Sequence, residues 1–206
     1  MEWEMGKAIT ISRDYGCGGV ELARTLAKEL GYEYIDKSIV VDLAKKMNTS
    51  EGEVSSYEDG SSLKLFKVIN EFMTAAKVQT ILSNDFGYVN NDGYRIGLEG
   101  LMKELADQGS VVIVGRGGQC ILHNRPDVVH VRLIAPMEYK KEFYAAKSAI
   151  TKDEAEAIIT AKEEERKQYH LKMFDRYHND PTLYHATINL GLVNQRYAID
   201  MIKVLL

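Results

Sequence analysis

The 206-residue chain is poor in cysteine, proline and tryptophan, with two, three and one of each. Cys17 and Cys120 stand in no metal-ligand spacing, which excludes a disulfide scaffold and a thiolate zinc site and fits reduced thiols in a cytoplasmic protein. Prolines fall only at 126, 136 and 181, and there is no repeat, low-complexity tract or Gly/Ser linker, so a single α/β domain is expected. An excess of basic residues is missing too: 26 Lys and Arg against 30 Asp and Glu give a net charge of −4. That excludes a nucleic-acid partner held by broad electrostatics, so any anion site must be local. No apolar run approaches the roughly 20 residues of a membrane span. The opening "MEWEMGK" is acidic, without the apolar stretch of a signal peptide. The expectation is a cytoplasmic protein with no membrane partner and an oligomeric state left open.

What the chain does have is alternating strand and helix patterns. "AITIS" (8–12), "YEYI" (32–35), "SVVIVGRGG" (110–118), "VVHVRLIA" (128–135) and "ATINL" (186–190) read as strands. The third is the most apolar of them, as in a central parallel strand covered on both faces. Between them, "VELARTLAKEL" places Leu22, Leu26 and Leu30 on one helical face and stops at Gly31. Helices are also expected at 37–47 behind an Asp36 cap, at 63–82, at 95–109 and at the C-terminus. Thr151 with Glu154 forms a capping box that restarts a helix in the charged stretch 137–177. This order predicts a right-handed parallel α/β sheet flanked by helices. The charged helical stretch is either a mobile lid or a solvated arm.

Chemistry concentrates where the first strand turns into the first helix, "ISRDYGCGGVE". Glycines there let backbone N–H groups and the positive helix end face an anion, a cradle formed by Gly16, Cys17, Gly18, Gly19 and Val20. Phosphate-binding loops usually add a lysine and a hydroxyl residue, and here Gly19 and Val20 stand in those places. Cys17, at a helix start, raises the idea of an activated thiol. The plainer alternative is a small residue in a tight turn.

The motifs "ISRDYGCGG", "YIDKSIV", "VVIVGRGG", "RPDVVHVRLIAPMEYKK", "ERKQYH" and "NDPTLYHATINLGL", in that order, resemble the cytidylate kinase-like family, relatives of nucleoside monophosphate kinases. The resemblance implies a P-loop NTPase-type fold with a helical lid. It implies one domain over 1–206, with a core from 8–36, 108–136 and 184–206, an acceptor-binding helical region at about 37–95, and a lid at about 137–180. It further implies that Arg13, Asp14, Tyr15, Gly16, Cys17, Gly18, Gly19 and Val20 hold the phosphates of ATP. Asp36 and Arg116 would contact the acceptor. Lys140, Lys162 with Glu163, and Arg166 fall on lid positions. Mg²⁺ is implied as a cofactor, with ligands unassigned.

The departures from that pattern put catalysis in question. Val114 and Gly117 stand where acidic residues are found, and Asp42 where an acceptor-binding arginine is found. Phosphoryl transfer depends on neutralising charge on the migrating group, so another cation must replace the lysine. Arg13, at the strand end before the turn, is the first choice, and Arg116, from a neighbouring strand end, the second. Lys162, Arg166 and Arg176 would act only from a closed lid. For each arginine the plain alternative is a pair with a nearby carboxylate. The expected function is transfer of the ATP γ-phosphoryl group to a nucleoside monophosphate (CMP-like) or other small phosphorylated acceptor. The alternative is a non-catalytic nucleotide- or phosphate-binding sensor with a degenerate loop. The histidines suggest no metal site.

Overall fold

The computed structural model of the chain describes residues 8–36 and 92–206. The helices expected at 37–47 and 63–82, and Asp42 with them, lie outside the described residues. Five parallel strands form one sheet in the order β2-β3-β1-β4-β5, with β1 at Ala8–Arg13, β2 at Glu33–Ile35, β3 at Val111–Val114, β4 at Val128–Ile134 and β5 at Ala186–Asn189. Ala8 is in register with Val111 on one side and Val128 on the other, so β1 is central. Burial follows from that position: every residue of β1 but Arg13 is buried.

Helix α1 (Gly19–Leu30) lays Leu22, Ala23 and Leu26 on the sheet and ends at Gly31, whose φ of 68° closes the last turn as the sequence predicts. Helix α2 (Asp92–Gln108) precedes β3, and the short α3 (Gly118–Ile121) follows it. The expected strand at 110–118 is shorter than its apolar run. Gly115, Arg116 and Gly117 all take positive φ (80°, 56° and 73°), so the chain turns out of the sheet there. Helices α4 (Met137–Ser148) and α5 (Lys152–Phe174) form the charged stretch, and α5 begins with the Thr151–Glu154 capping box. A 3₁₀ turn at Pro181–Leu183 leads into β5, and α6 (Gln195–Lys203) packs Ala198, Ile199 and Ile202 into the core shared with α1.

Two features of this topology position the site. Strand β1 leads to β2 on one side of the sheet and β3 leads to β4 on the other, so a crevice opens beyond the carboxyl ends of β1 and β3. Helices α4 and α5 build a small apolar cluster of their own, Ala145, Ala155 and Ile159, against which Tyr15 of the first loop packs. The charged hairpin is therefore docked on the loop through a buried contact. Among the described residues no helix is long and apolar enough to cross a membrane.

Candidate phosphate site at the first loop

The loop after β1 has φ of 78° at Gly16 and 80° at Gly18, values that L-residues adopt only with strain. A side chain at either position would also press on the hairpin: on Ile159 Cδ1 and the Lys140 carbonyl at Gly16, and on the Phe143 ring at Gly18. Gly18 caps α1 without any side-chain hydrogen bond, which leaves first-turn N–H groups of the helix for an outside acceptor. Around this turn lies a pocket of about 170 Å³, lined by the loop from Arg13 to Glu21 and by Phe143, Tyr144, Lys147 and Arg166.

The missing lysine has a steric explanation. A Cβ on Gly19 would lie 2.8 Å from Arg13 Cβ, and one on Gly115 would lie 2.7 Å from Arg13 Nη1. The Arg13 side chain thus runs over Gly19 and places its guanidinium against the turn after β3, in the crevice between the two strand ends. It could not follow that path past a lysine at 19. Among the described residues Arg13 has no ion pair. Burial and the charge of Arg166 bring its pKa down to about 10, against the pull of Tyr34, Cys17 and Asp36. A cation with these surroundings gains from an anion in the pocket.

Arg166, only 7% exposed, reaches the pocket from α5. Its Nη1 donates to Glu163 Oε1 at 2.7 Å, and the same oxygen accepts the Tyr15 backbone N–H. His178 Nε2 lies 3.7 Å from Glu163 Oε2. Burial works against the Glu163 charge, but His178, Arg166 and the Tyr15 N–H outweigh it and bring the carboxyl down to about 2. One carboxylate thereby ties the hairpin, the loop and a pocket arginine together. Asp14 serves the loop from below, with Arg132 Nη2 at 3.2 Å and Lys140 Nζ at 3.6 Å, both largely buried. Tyr15 stacks edge-on against Tyr144 at 5.2 Å, and their hydroxyls lie 3.2 Å apart.

A family model described as "Cytidylate kinase-like family" matches residues 8–191. The chain belongs to the cytidylate kinase-like family. No curated protein sequence matches it. A crystal structure of an uncharacterized protein from Eubacterium ventriosum is 21% identical, with a TM-score of 0.68 and coverage of 95% of this chain and 94% of that one, a likeness of fold. Shikimate kinases from Bacteroides thetaiotaomicron (13% identity, TM-score 0.46, coverage 96% and 94%) and Acinetobacter baumannii (15%, 0.46, 97% and 92%) are more distant. The fold is the P-loop NTPase type, a five-stranded parallel sheet flanked by helices. Family membership makes this a kinase-like protein of the nucleotide-binding phosphotransferase kind.

Within this cytidylate kinase-like chain the expected residues separate into two groups. The loop residues Arg13 to Val20 and Arg166 line one pocket. The other three do not line it. Arg116 is on the turn after β3, at the same edge of the sheet, with φ 56°. Asp36 follows β2, where its Oδ2 accepts from Tyr34 Oη at 2.7 Å and Arg24 Nη2 at 3.3 Å. Lys162 pairs with Glu165 at 2.8 Å on α5. Cys17 is 1% exposed, and burial pushes its thiol up to about 11, opposite to the activated-thiol idea. Phe143, Tyr144, Lys147 and Arg132 carry no expectation from the sequence, and Asp14 and Lys140, expected at the phosphates and in the lid, are instead brought together with Arg132. The i, i+3 spacing of Glu163 and Arg166 was the one signal available for their pairing.

Mg²⁺ asks for hard oxygen ligands. Val20 has no hydroxyl to offer, and β3 ends on the apolar Val114. Asp14 is held by Arg132 and Lys140, Glu21 by Lys147, and Glu163 by Arg166 and the loop. The described residues around this pocket do not fit the ion.

Proposed function

We propose that the protein is a cytoplasmic, nucleotide-binding phosphotransferase whose first loop holds the phosphates of ATP. It transfers the γ-phosphoryl group to a nucleoside monophosphate (CMP-like) or another small phosphorylated acceptor, without nucleic-acid or membrane partners. The observation that carries this reading is the meeting of two guanidinium groups, Arg13 and Arg166, at one backbone N–H cradle, with no carboxylate paired to Arg13 among the described residues. An oxygen of the acceptor phosphate attacks the γ-phosphorus, the bond to the β-phosphate bridging oxygen breaks, and ADP leaves. An acceptor phosphate is already ionised near neutral pH, so no general base is needed.

In this reading the loop N–H groups bind and orient the donor phosphates, and Arg13 and Arg166 spread charge from the migrating group. Arg116 and Asp36 face the acceptor from the ends of β3 and β2, and Lys162 joins from α5. The core is 8–36, 108–136 and 184–206, the acceptor region about 37–95, and the hairpin within 137–180 the lid that excludes water. Coupled kinase assays over a panel of nucleoside monophosphates test it: turnover with at least one acceptor, lost in Arg13→Ala, is expected. A second reading, a sensor that binds nucleotide without turnover, is favoured by Gly19 and Val20 and by the occupied carboxylates. Binding with no turnover for any acceptor would select it.

A further inference from the structure

We infer that this pocket takes its polyphosphate ligand free of divalent metal, with Arg13 and Arg166 in the place of the cation. The inference rests on the phosphate-binding reading above and specifies the form of that ligand. Three observations support it. Among the described residues, each carboxylate beside the loop is already engaged: Asp14 by Arg132 and Lys140, Glu21 by Lys147, Glu163 by Arg166. Position 20, at the start of α1, is a valine, so the helix offers no side-chain oxygen there.

The cations are also built in. Arg13 passes over Gly19 and stops against Gly115, each glycine leaving space that a Cβ would fill, and Arg166 is buried to 7% exposure and held at 2.7 Å by Glu163. Both line the same pocket of about 170 Å³. A dication bound to the phosphates would share that space with two fixed positive charges and find no unpaired carboxylate among the described residues beside the loop. A metal-free polyphosphate meets charge-assisted donors on two sides and the N–H cradle on a third. Mg²⁺ then competes with the protein for the phosphate oxygens.

Titration calorimetry of the full chain separates the outcomes, with ATP and inorganic tripolyphosphate as probes, each in excess EDTA and in excess Mg²⁺. The inference predicts affinities at least as tight in EDTA as in Mg²⁺, with binding weakened about tenfold or more in Arg13→Ala and in Arg166→Ala under EDTA. Affinity tenfold tighter in Mg²⁺ overturns the inference and leaves the phosphate-binding reading standing. No binding of either probe in either condition overturns both. Thermal unfolding of each variant, compared with the wild-type chain, tells a lost ligand contact from a lost fold.

Discussion

Two glycine-rich turns leave the carboxyl edge of the sheet side by side, "DYGCGG" after β1 and "GRGG" after β3, and they use glycine for different reasons. In the first, Gly16 and Gly18 bend the chain around a pocket that the loop itself lines. In the second, Gly115 and Gly117 bend the chain too, but the space at each is filled by a side chain from elsewhere, the Arg13 guanidinium at 115 and the Phe174 ring at 117. The first turn lines a pocket; the second makes room, at Gly115 for the Arg13 guanidinium and at Gly117 for the Phe174 ring. A glycine pattern alone does not tell these uses apart, because both need positive φ.

Gly117→Ala is expected to cost most, about 3 kcal/mol of stability, since the new Cβ overlaps the Phe174 ring in a backbone that already disfavours L-residues; a thermal or urea midpoint reads it. Gly19→Lys comes next. It restores the residue of a typical phosphate loop, yet its Cβ meets Arg13 Cβ, so a loss of about 2 kcal/mol and weaker ATP binding are expected, not a gain. An ATP affinity above wild type in Gly19→Lys would show that Arg13 does not occupy the lysine's place.

Glu163 supplies a pH test of the hairpin's attachment. Its carboxyl is lowered from 4.5 to about 2, so its contribution is full above pH 4.5 and is lost as pH falls toward 2. After allowance for its partial exposure, that contribution is on the order of 2 kcal/mol. Glu163→Gln should therefore flatten the acid limb of the stability curve over that window. A curve parallel to wild type below pH 4.5 would contradict the three-way link. The smallest effect is expected at Gly31, where φ is 68° but nothing lies within 4 Å of an added Cβ. Gly31→Ala should cost only the backbone term, about 1 kcal/mol, and its difference from Gly117→Ala measures the filled space.

The strands and α1 were legible because their signals are local: apolar β-branched runs, a 3.6-residue stripe from Leu22 to Leu30, a glycine stop, the Thr151 capping box. The turn at 115–117 reads as strand because it follows directly on an apolar run, and it is the positive φ of Gly115, Arg116 and Gly117 that ends the strand. The glycine turn after β1 was legible, and Arg13 as a cation beside it. What the sequence hid is how Arg13 gets there. Its path depends on Gly19 and on Gly115, about a hundred residues away, which meet only once β1 and β3 are in register. Likewise Arg132 looks like an ordinary strand residue until Asp14 and His178 are brought beside it.

If Arg13 stands in for the loop lysine, ATP binding to Arg13→Ala, measured by calorimetry beside the wild-type chain, is where its loss shows. Loss of a charge-assisted contact worth roughly 1.5–3 kcal/mol predicts an affinity lower by about 10- to 100-fold. The thermal midpoint without ligand should fall little, since Arg13 has no ion pair to lose among the described residues. Unchanged ATP affinity in a folded Arg13→Ala protein would contradict the account.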